Sequence, residues 1–337
     1  MEENKNYIRG CKALELRYYE TAINYFTKAI NEDPNDLQSL IKRADTYDKV
    51  KDYDNYANDL FLQSKLYTKQ LKANPNNYEI LYKRGEIYRY LDKKKRATAD
   101  YEKAIKLNPK YIEAYIGLGY VKSYPGKDEL NQALSAFFQA IYLQPNNSQA
   151  LYNIGQIYLR QKDTEKAIEF YKKCIETKGD YLALACRSLG GLYSQMNRFK
   201  EGIALYKKFL SNSGYDGDCR YLASLYEKAG DLNKALFHLN MAISIDNGVP
   251  FTYFRLSEIY MNIGNFEMAL KNINIALSIH NKKSFLHFKA KLLLKLKKIE
   301  EAELVFDEVI SSWQVDYNKL KRLAFKRGIS YRDIWSL

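Results

Sequence analysis

The chain has 337 residues, 46% of them hydrophobic, with only 6 Pro and 16 Gly, a composition that points to helix and away from a β architecture. Its 53 Lys and Arg against 40 Asp and Glu give a net charge of +13, which attracts acidic partners of any kind without choosing among them. No apolar run approaches the ~18 residues of a membrane span, the opening MEENKNYIRG has neither signal core nor transit character, and Cys11, Cys174, Cys186 and Cys219 show no paired spacing, so a cytoplasmic chain with reduced thiols is expected.

Residues 4–36 read as two helices of about a dozen residues joined by a short polar turn. The first helix carries Gly10. The second carries Ala22 and, four residues on, Phe26, and Pro34 ends the unit. Residues 37–77 repeat the marks as Ala44, Ala57, Phe61 and Pro75, but the unit is long by seven, and Leu60, Ser64, Tyr67 and Leu71 continue at helical spacing. A second helix extended by two turns, projecting from the stack, is expected here. Residues 78–111 carry Gly85, Ala97, Tyr101 and Pro109. Residues 112–147 carry Gly119, Ala133, Phe137 and Pro145, with Pro125-Gly126 added in the turn. Gly117 falls outside the series and is expected on an exposed face or beside a ligand on an inner one. The marks continue as Gly155, Ala167, Tyr171 and Gly179 in 148–182, and as Gly190, Gly202, Tyr206 and Gly214 in 183–215. They run on as Ala223, Ala235 and Leu239 in 216–249, Ser257, Ala269 and Ile273 in 250–282, and Ala290, Ala302 and Phe306 in 283–312. Residues 313–337 read as a capping helix over 316–328 and a tail with Ile334, Trp335 and Leu337.

The small positions of the first helices advance by 34, 41, 34, 36, 35, 33, 34 and 33 residues, the mark of a stacked array. The pattern resembles the tetratricopeptide repeat. LYNIGQIYLRQKDTEKAIEFYKKCI (151–175) carries it in Leu151, Ile154, Gly155, Tyr158, Ala167 and Tyr171, and LYKRGEIYRYLDKKKRATADYEKAIKLNP (81–109) carries it as well. The resemblance covers roughly residues 4–310. It implies an all-α fold, a right-handed α–α superhelix (solenoid) of about nine helix pairs plus a C-terminal capping helix. It also implies a concave groove lined by the first helices. The groove positions are Tyr82, Lys83, Glu86, Ile116, Tyr120, Tyr152, Asn153, Gln156, Arg187, Gly191, Arg220, Ser224, Phe254, Arg255, Glu258, His287 and Lys291. The partner-binding set among them is Tyr82, Tyr120, Tyr152, Asn153, Gln156, Arg187, Arg220, Phe254, Arg255 and His287. The Lys, Asn and Arg set with which one branch of the family grips the chaperone C-terminal carboxylate is missing, and Asn153 alone sits at a fitting position.

Nothing in the sequence assembles a catalytic site. There is no P-loop, GxSxG or HExxH, and His238, His280 and His287 stand at no ligand spacing. Cys174, Cys186 and Cys219 fall at core positions. No cofactor, metal or catalytic residue is expected. The expected function is a non-catalytic scaffold or adaptor that takes acidic and apolar peptide segments of other proteins into its groove, within a complex. Two alternatives stay open. One is single-stranded RNA binding, served by the +13 charge and the groove Tyr and Arg but opposed by Glu86, Glu113 and Glu258. The other is a purely architectural subunit, associated with cytoskeleton or cilium.

Overall fold

The computed structural model describes residues 4–123, 127–209 and 214–311, and among them there are eighteen α-helices and no strand. The helices form nine hairpin pairs. These are α1 (Lys5–Glu15) with α2 (Tyr19–Glu32), α3 (Leu37–Lys49) with α4 (Tyr53–Ala73), and α5 (Tyr78–Tyr90) with α6 (Lys94–Leu107). Next come α7 (Ile112–Lys122) with α8 (Lys127–Leu143), α9 (Ser148–Arg160) with α10 (Thr164–Glu176), and α11 (Leu182–Gln195) with α12 (Phe199–Phe209). The last three are α13 (Asp216–Lys228) with α14 (Leu232–Ile245), α15 (Pro250–Ile263) with α16 (Phe266–Ile279), and α17 (Lys283–Lys295) with α18 (Ile299–Ser311). The chain divides into two compact units, 1–185 and 186–337, with the division inside α11. Pro125-Gly126 and the expected capping helix lie outside the described residues. No described helix is long and apolar enough to cross a membrane.

Local chemistry sets the boundaries. Asn4, Asp36, Asp52, Asn77, Asn147, Asp163, Asp231 and Asn265 each cap a helix start, accepting backbone N–H groups of the first turn. Each described turn within a pair holds one residue at positive φ, and at Gly230 and Gly264 that residue is a glycine.

Inside each pair a small residue meets a large one. A Cβ on Gly10 would lie 2.5 Å from the Phe26 ring, on Gly85 2.8 Å from Tyr101, and on Gly119 2.6 Å from Phe137. On Gly155 it would lie 2.7 Å from Tyr171, and on Gly190 2.3 Å from Tyr206. Glycine therefore faces every one of these rings. Where the first helix carries Ala44, Ala223 or Ser257, the facing position holds an aliphatic residue, Leu60, Leu239 or Ile273. Ala290 opposite Phe306 is the exception.

Three expectations are corrected. In the second helix pair the core register is Tyr56 and Leu60 rather than Ala57 and Phe61. Leu60 is 8% exposed, whereas Phe61 is 41% exposed and carries the Lys65 and Lys93 ammonium groups over its ring, at 4.4 and 5.0 Å. Counting from the cap Asp52 would have placed it, because Asp163 stands the same four residues before Ala167. The long helix α4 does not project. Tyr67 packs with Ile87, and Leu71 with Leu81, so its extra turns are buried against α5. Gly117 is buried rather than on an exposed face, and side chains of the chain itself fill the space beside it. Its missing Cβ leaves room for the Tyr101 ring at 2.7 Å and Glu86 Oε1 at 3.2 Å.

Two buried polar modules stitch the first three pairs together. Arg43 donates to Asp59 at 2.7 and 2.9 Å and to Thr27 Oγ1 at 2.9 Å. Arg84, 41 residues on, repeats this with Asp100 at 2.7 and 2.8 Å and Thr68 Oγ1 at 3.0 Å. Asp59 and Asp100 are buried, and such charges persist only when paired and hydrogen-bonded.

Candidate functional site

Packing between paired helices consumes the Gly/Ala side of each first helix and leaves another side free. In the first unit that free side is a connected run of phenol, amide and guanidinium groups. Tyr82 on α5 lies edge-on to Tyr111, 5.4 Å between centroids, and 6.1 Å from the Tyr101 ring. The Tyr101 hydroxyl donates to Glu86, which also accepts Arg89 Nη2 at 2.7 Å. Burial raises the phenol pKa of Tyr101 and Tyr82, with the Glu86 charge adding to it, and pushes that of Tyr111 up to about 12, so all three stay neutral donors.

The run continues on α7. The Arg89 guanidinium lies 5.7 Å from the centre of the Tyr120 ring. The Tyr120 hydroxyl accepts from Gln149 Nε2 at 3.0 Å and Asn153 Nδ2 at 3.1 Å, and shares a hydrogen bond with the Tyr181 hydroxyl at 3.1 Å. Asn153 also donates to the Gln149 carbonyl at 2.7 Å, which fixes its amide. Tyr152 lies 5.4 Å from the Tyr181 ring, and its hydroxyl accepts Gln156 Nε2 at 2.6 Å. All of these side chains are half-buried. The groove position Ile116 differs, being buried in the core.

In the second unit the free side is self-neutralised. Arg187 makes a two-pronged pair with Asp218 at 2.7 and 2.8 Å, with its guanidinium 4.7 Å from the Tyr215 ring centre. The Asp218 hydrogen bonds hold Arg187 charged, above its ordinary pKa. Arg220 pairs with Asp216. Arg255 pairs with Glu258 at 2.7 Å and with Glu227. Phe254 packs between pairs, stacked 4.8 Å from Phe285 and edge-on to Phe288 at 5.2 Å. His287 lies edge-on to Phe306 at 6.4 Å, and burial followed by Lys291 lowers its pKa.

Five of the ten sequence-derived groove residues, Tyr82, Tyr120, Tyr152, Asn153 and Gln156, thus fall on the free side in the first unit. The three arginines, Phe254 and His287 are distributed along the second. Sequence reasoning missed Arg89, Gln149 and Tyr181. A signal for Tyr181 was present, because a tyrosine follows shortly after the unit-ending Pro or Gly at Tyr78, Tyr111, Tyr181 and Tyr215.

Family models of the tetratricopeptide repeat match residues 6–36, 78–111, 148–181 and 252–282. Among curated relatives, Anaphase-promoting complex subunit 3 of Schizosaccharomyces pombe is 37% identical over 78 residues, which is 23% of this chain and 11% of that protein. BBSome complex member BBS4 of Mus musculus is 36% identical over 105 residues, 31% of this chain and 19% of that protein. In both, the match spans a minor part of the relative's length. Among solved structures, yeast Tom70 aligns over 95% of this chain and 87% of its own at 15% identity, with a TM-score of 0.46. Four units match the repeat outright and the other five carry the same hairpin with a small residue set against a large one, so the chain belongs to the tetratricopeptide repeat family.

Proposed function

We propose that this chain is a non-catalytic scaffold that holds segments of partner proteins against the free sides of its first helices, within a multiprotein assembly. The observation that carries the reading is the run Arg89–Tyr120–Gln149–Asn153–Tyr181, in which neighbouring first helices hold one another's polar groups in place at a half-buried surface. Groups fixed in this way lose little further freedom when a ligand binds. Tyr and Arg are also the side chains from which binding hot spots are most often built. The names of two relatives as members of complexes support the assembly part of the reading.

The proposed contact set is Tyr82, Tyr120, Tyr152, Asn153 and Gln156 in the first unit and Arg187, Arg220, Phe254, Arg255 and His287 in the second. The amide and phenol groups of the first unit suit the main chain of an extended segment. The arginines of the second accept an acidic side chain only in exchange for Asp218, Asp216, Glu227 or Glu258. Preference for acidic segments therefore belongs to the second unit, and the exchange keeps it modest.

The test is affinity purification with the full chain, comparing wild type with Tyr120→Ala/Asn153→Ala, Arg187→Ala/Arg220→Ala and Phe254→Ala, each checked for unchanged helicity. Loss of specific partners by about tenfold or more, the effect of a hot-spot truncation, is expected for at least the first variant. Full retention by all variants refutes the assignment, and recovery that depends on intact RNA favours nucleic-acid binding instead.

A further inference from the structure

The residue six places before the small core residue of each first helix changes character along the chain. In α5 and α7 it is a carboxylate, Glu79 and Glu113, and in α3 and α9 on either side it is an amide, Gln38 and Gln149. In every other pair it is uncharged. The amides show what this position meets. Gln38 accepts from the Tyr7 hydroxyl at 3.4 Å, and Gln149 donates to the Tyr120 hydroxyl at 3.0 Å. Each thus reaches a tyrosine on the free side of the preceding first helix. Glu79 and Glu113 are exposed, and among the described residues neither forms an ion pair, although the exposed Lys83 and Lys110 are close in sequence.

Three half-buried phenol rings accompany the two carboxylates. Tyr111 lies edge-on to Tyr78 at 5.0 Å and to Tyr82 at 5.4 Å between centroids. Burial raises the Tyr111 phenol pKa first, and Glu113 and Glu79 add to it; Glu113 is also felt at Tyr82. A field that opposes a phenolate favours a cation. The same two helices already hold one cation in this manner. Arg89 pairs with Glu86 at 2.7 Å and places its guanidinium 5.7 Å from the Tyr120 ring centre. Glu86 is thereby occupied, whereas Glu79 and Glu113 have no such base. We propose, resting on the reading that partner segments lie along the free sides of the first helices, that this side of α5 and α7 receives a lysine or arginine side chain of the partner. Opposite charge supplies the attraction, and the phenol rings add a cation–π contribution. The first unit thus selects a basic residue, where the arginines of the second favour an acidic one.

The probes are pools of fluorescent, end-blocked octapeptides whose one fixed central residue is Lys, Ala or Glu and whose other residues are uncharged. Anisotropy titrations with the full chain are expected to show the Lys pool binding about fivefold tighter than the Ala pool, the worth of an exposed ion pair with a cation–π contact. The net charge of +13 by itself disfavours the Lys pool, so such a preference reports a local surface. Added salt is expected to shrink it. Glu79→Gln/Glu113→Gln, checked for unchanged helicity, is expected to erase the difference between the Lys and Ala pools, and Glu79→Lys/Glu113→Lys to reverse it. Arg187→Ala/Arg220→Ala, in the second unit, is expected to leave it unchanged. Equal binding of the Lys and Ala pools to the wild type overturns the proposal, as does a Lys preference that survives the glutamine variant. If Tyr120→Ala/Asn153→Ala still weakens every pool in either case, the proposed function stands and only the basic preference falls.

Discussion

The Tyr101 ring lies between two glycines from different pairs, Gly85 on α5 and Gly117 on α7, and its hydroxyl is held by Glu86. Replacing Gly117 by alanine has two opposed effects. Alanine gains about 1 kcal/mol of helix propensity, but the new Cβ would stand 2.7 Å from a fully buried, hydrogen-bonded ring that has nowhere to move. Overpacking of this kind costs roughly 1–3 kcal/mol and wins. Gly117→Ala is therefore expected to lower the denaturant midpoint, and in a Tyr101→Leu background the same change is expected to raise it. Gly191→Ala is the control, because its Cβ would meet only the Tyr221 hydroxyl at 4.0 Å and keeps the helix gain. A destabilising Gly117→Ala in both backgrounds would show that the ring is not the obstacle.

Helix α4 shows why an insertion of seven residues is tolerated inside a stacked array. Seven residues are close to two helical turns, so residues beyond the insertion return to nearly the same side. Thr68 consequently reaches Arg84 as Thr27 reaches Arg43, and Leu71 reaches Leu81. Phase rather than length is what the neighbours require. Deleting the seven residues 61–67 is expected to leave a folded array of regular hairpins. Deleting only Lys65 and Leu66 turns everything after them by about 200°, so Thr68 and Leu71 face away from α5. That shorter deletion is expected to lose several times more stability and to expose α5 to hydrogen exchange. Equal damage from both deletions would mean that length, not phase, is read.

For the whole molecule, titration is divided between the two units. All three histidines fall after residue 185, in the second unit. His238, stacked on Tyr226 at 5.3 Å, and His287 both have lowered pKa values, through burial first and then Lys207 and Lys291 respectively. The sign follows from linkage. The unfolded chain binds these protons near the ordinary value of 6.5, while the folded chain resists them to lower pH. The contribution is thus complete above 6.5 and is lost as pH falls below it toward the folded values. Since neighbouring pairs carry most of the stability of a repeat array, the loss should stay local. Hydrogen exchange followed through this window is expected to quicken around α14 and α17 while α1 to α9 hold, and His238→Leu/His287→Leu is expected to remove the effect. Uniform quickening along the chain would point to a different titrating group.

The sequence by itself determined the hairpins, their period and, except in α4, the face each helix buries. These depend on small and large residues close together in the chain, as with Gly155 and Tyr171 or Pro109 after α6. It also held the pattern that glycine faces a ring and alanine or serine an aliphatic residue, broken only by Ala290 and Phe306, since both members of each pair lie within one hairpin. What only the tertiary structure decided lies between hairpins. Gly117 serves the ring of the preceding pair, the extra turns of α4 serve the next one, and Arg187 and Arg255 find carboxylates on a neighbouring pair, Asp218 and Glu227, instead of remaining bare. A repeat register states which side of a helix is free. It does not state which charges from adjoining helices meet there, because that depends on rotamer choice and spacing across separate hairpins rather than on the local pattern.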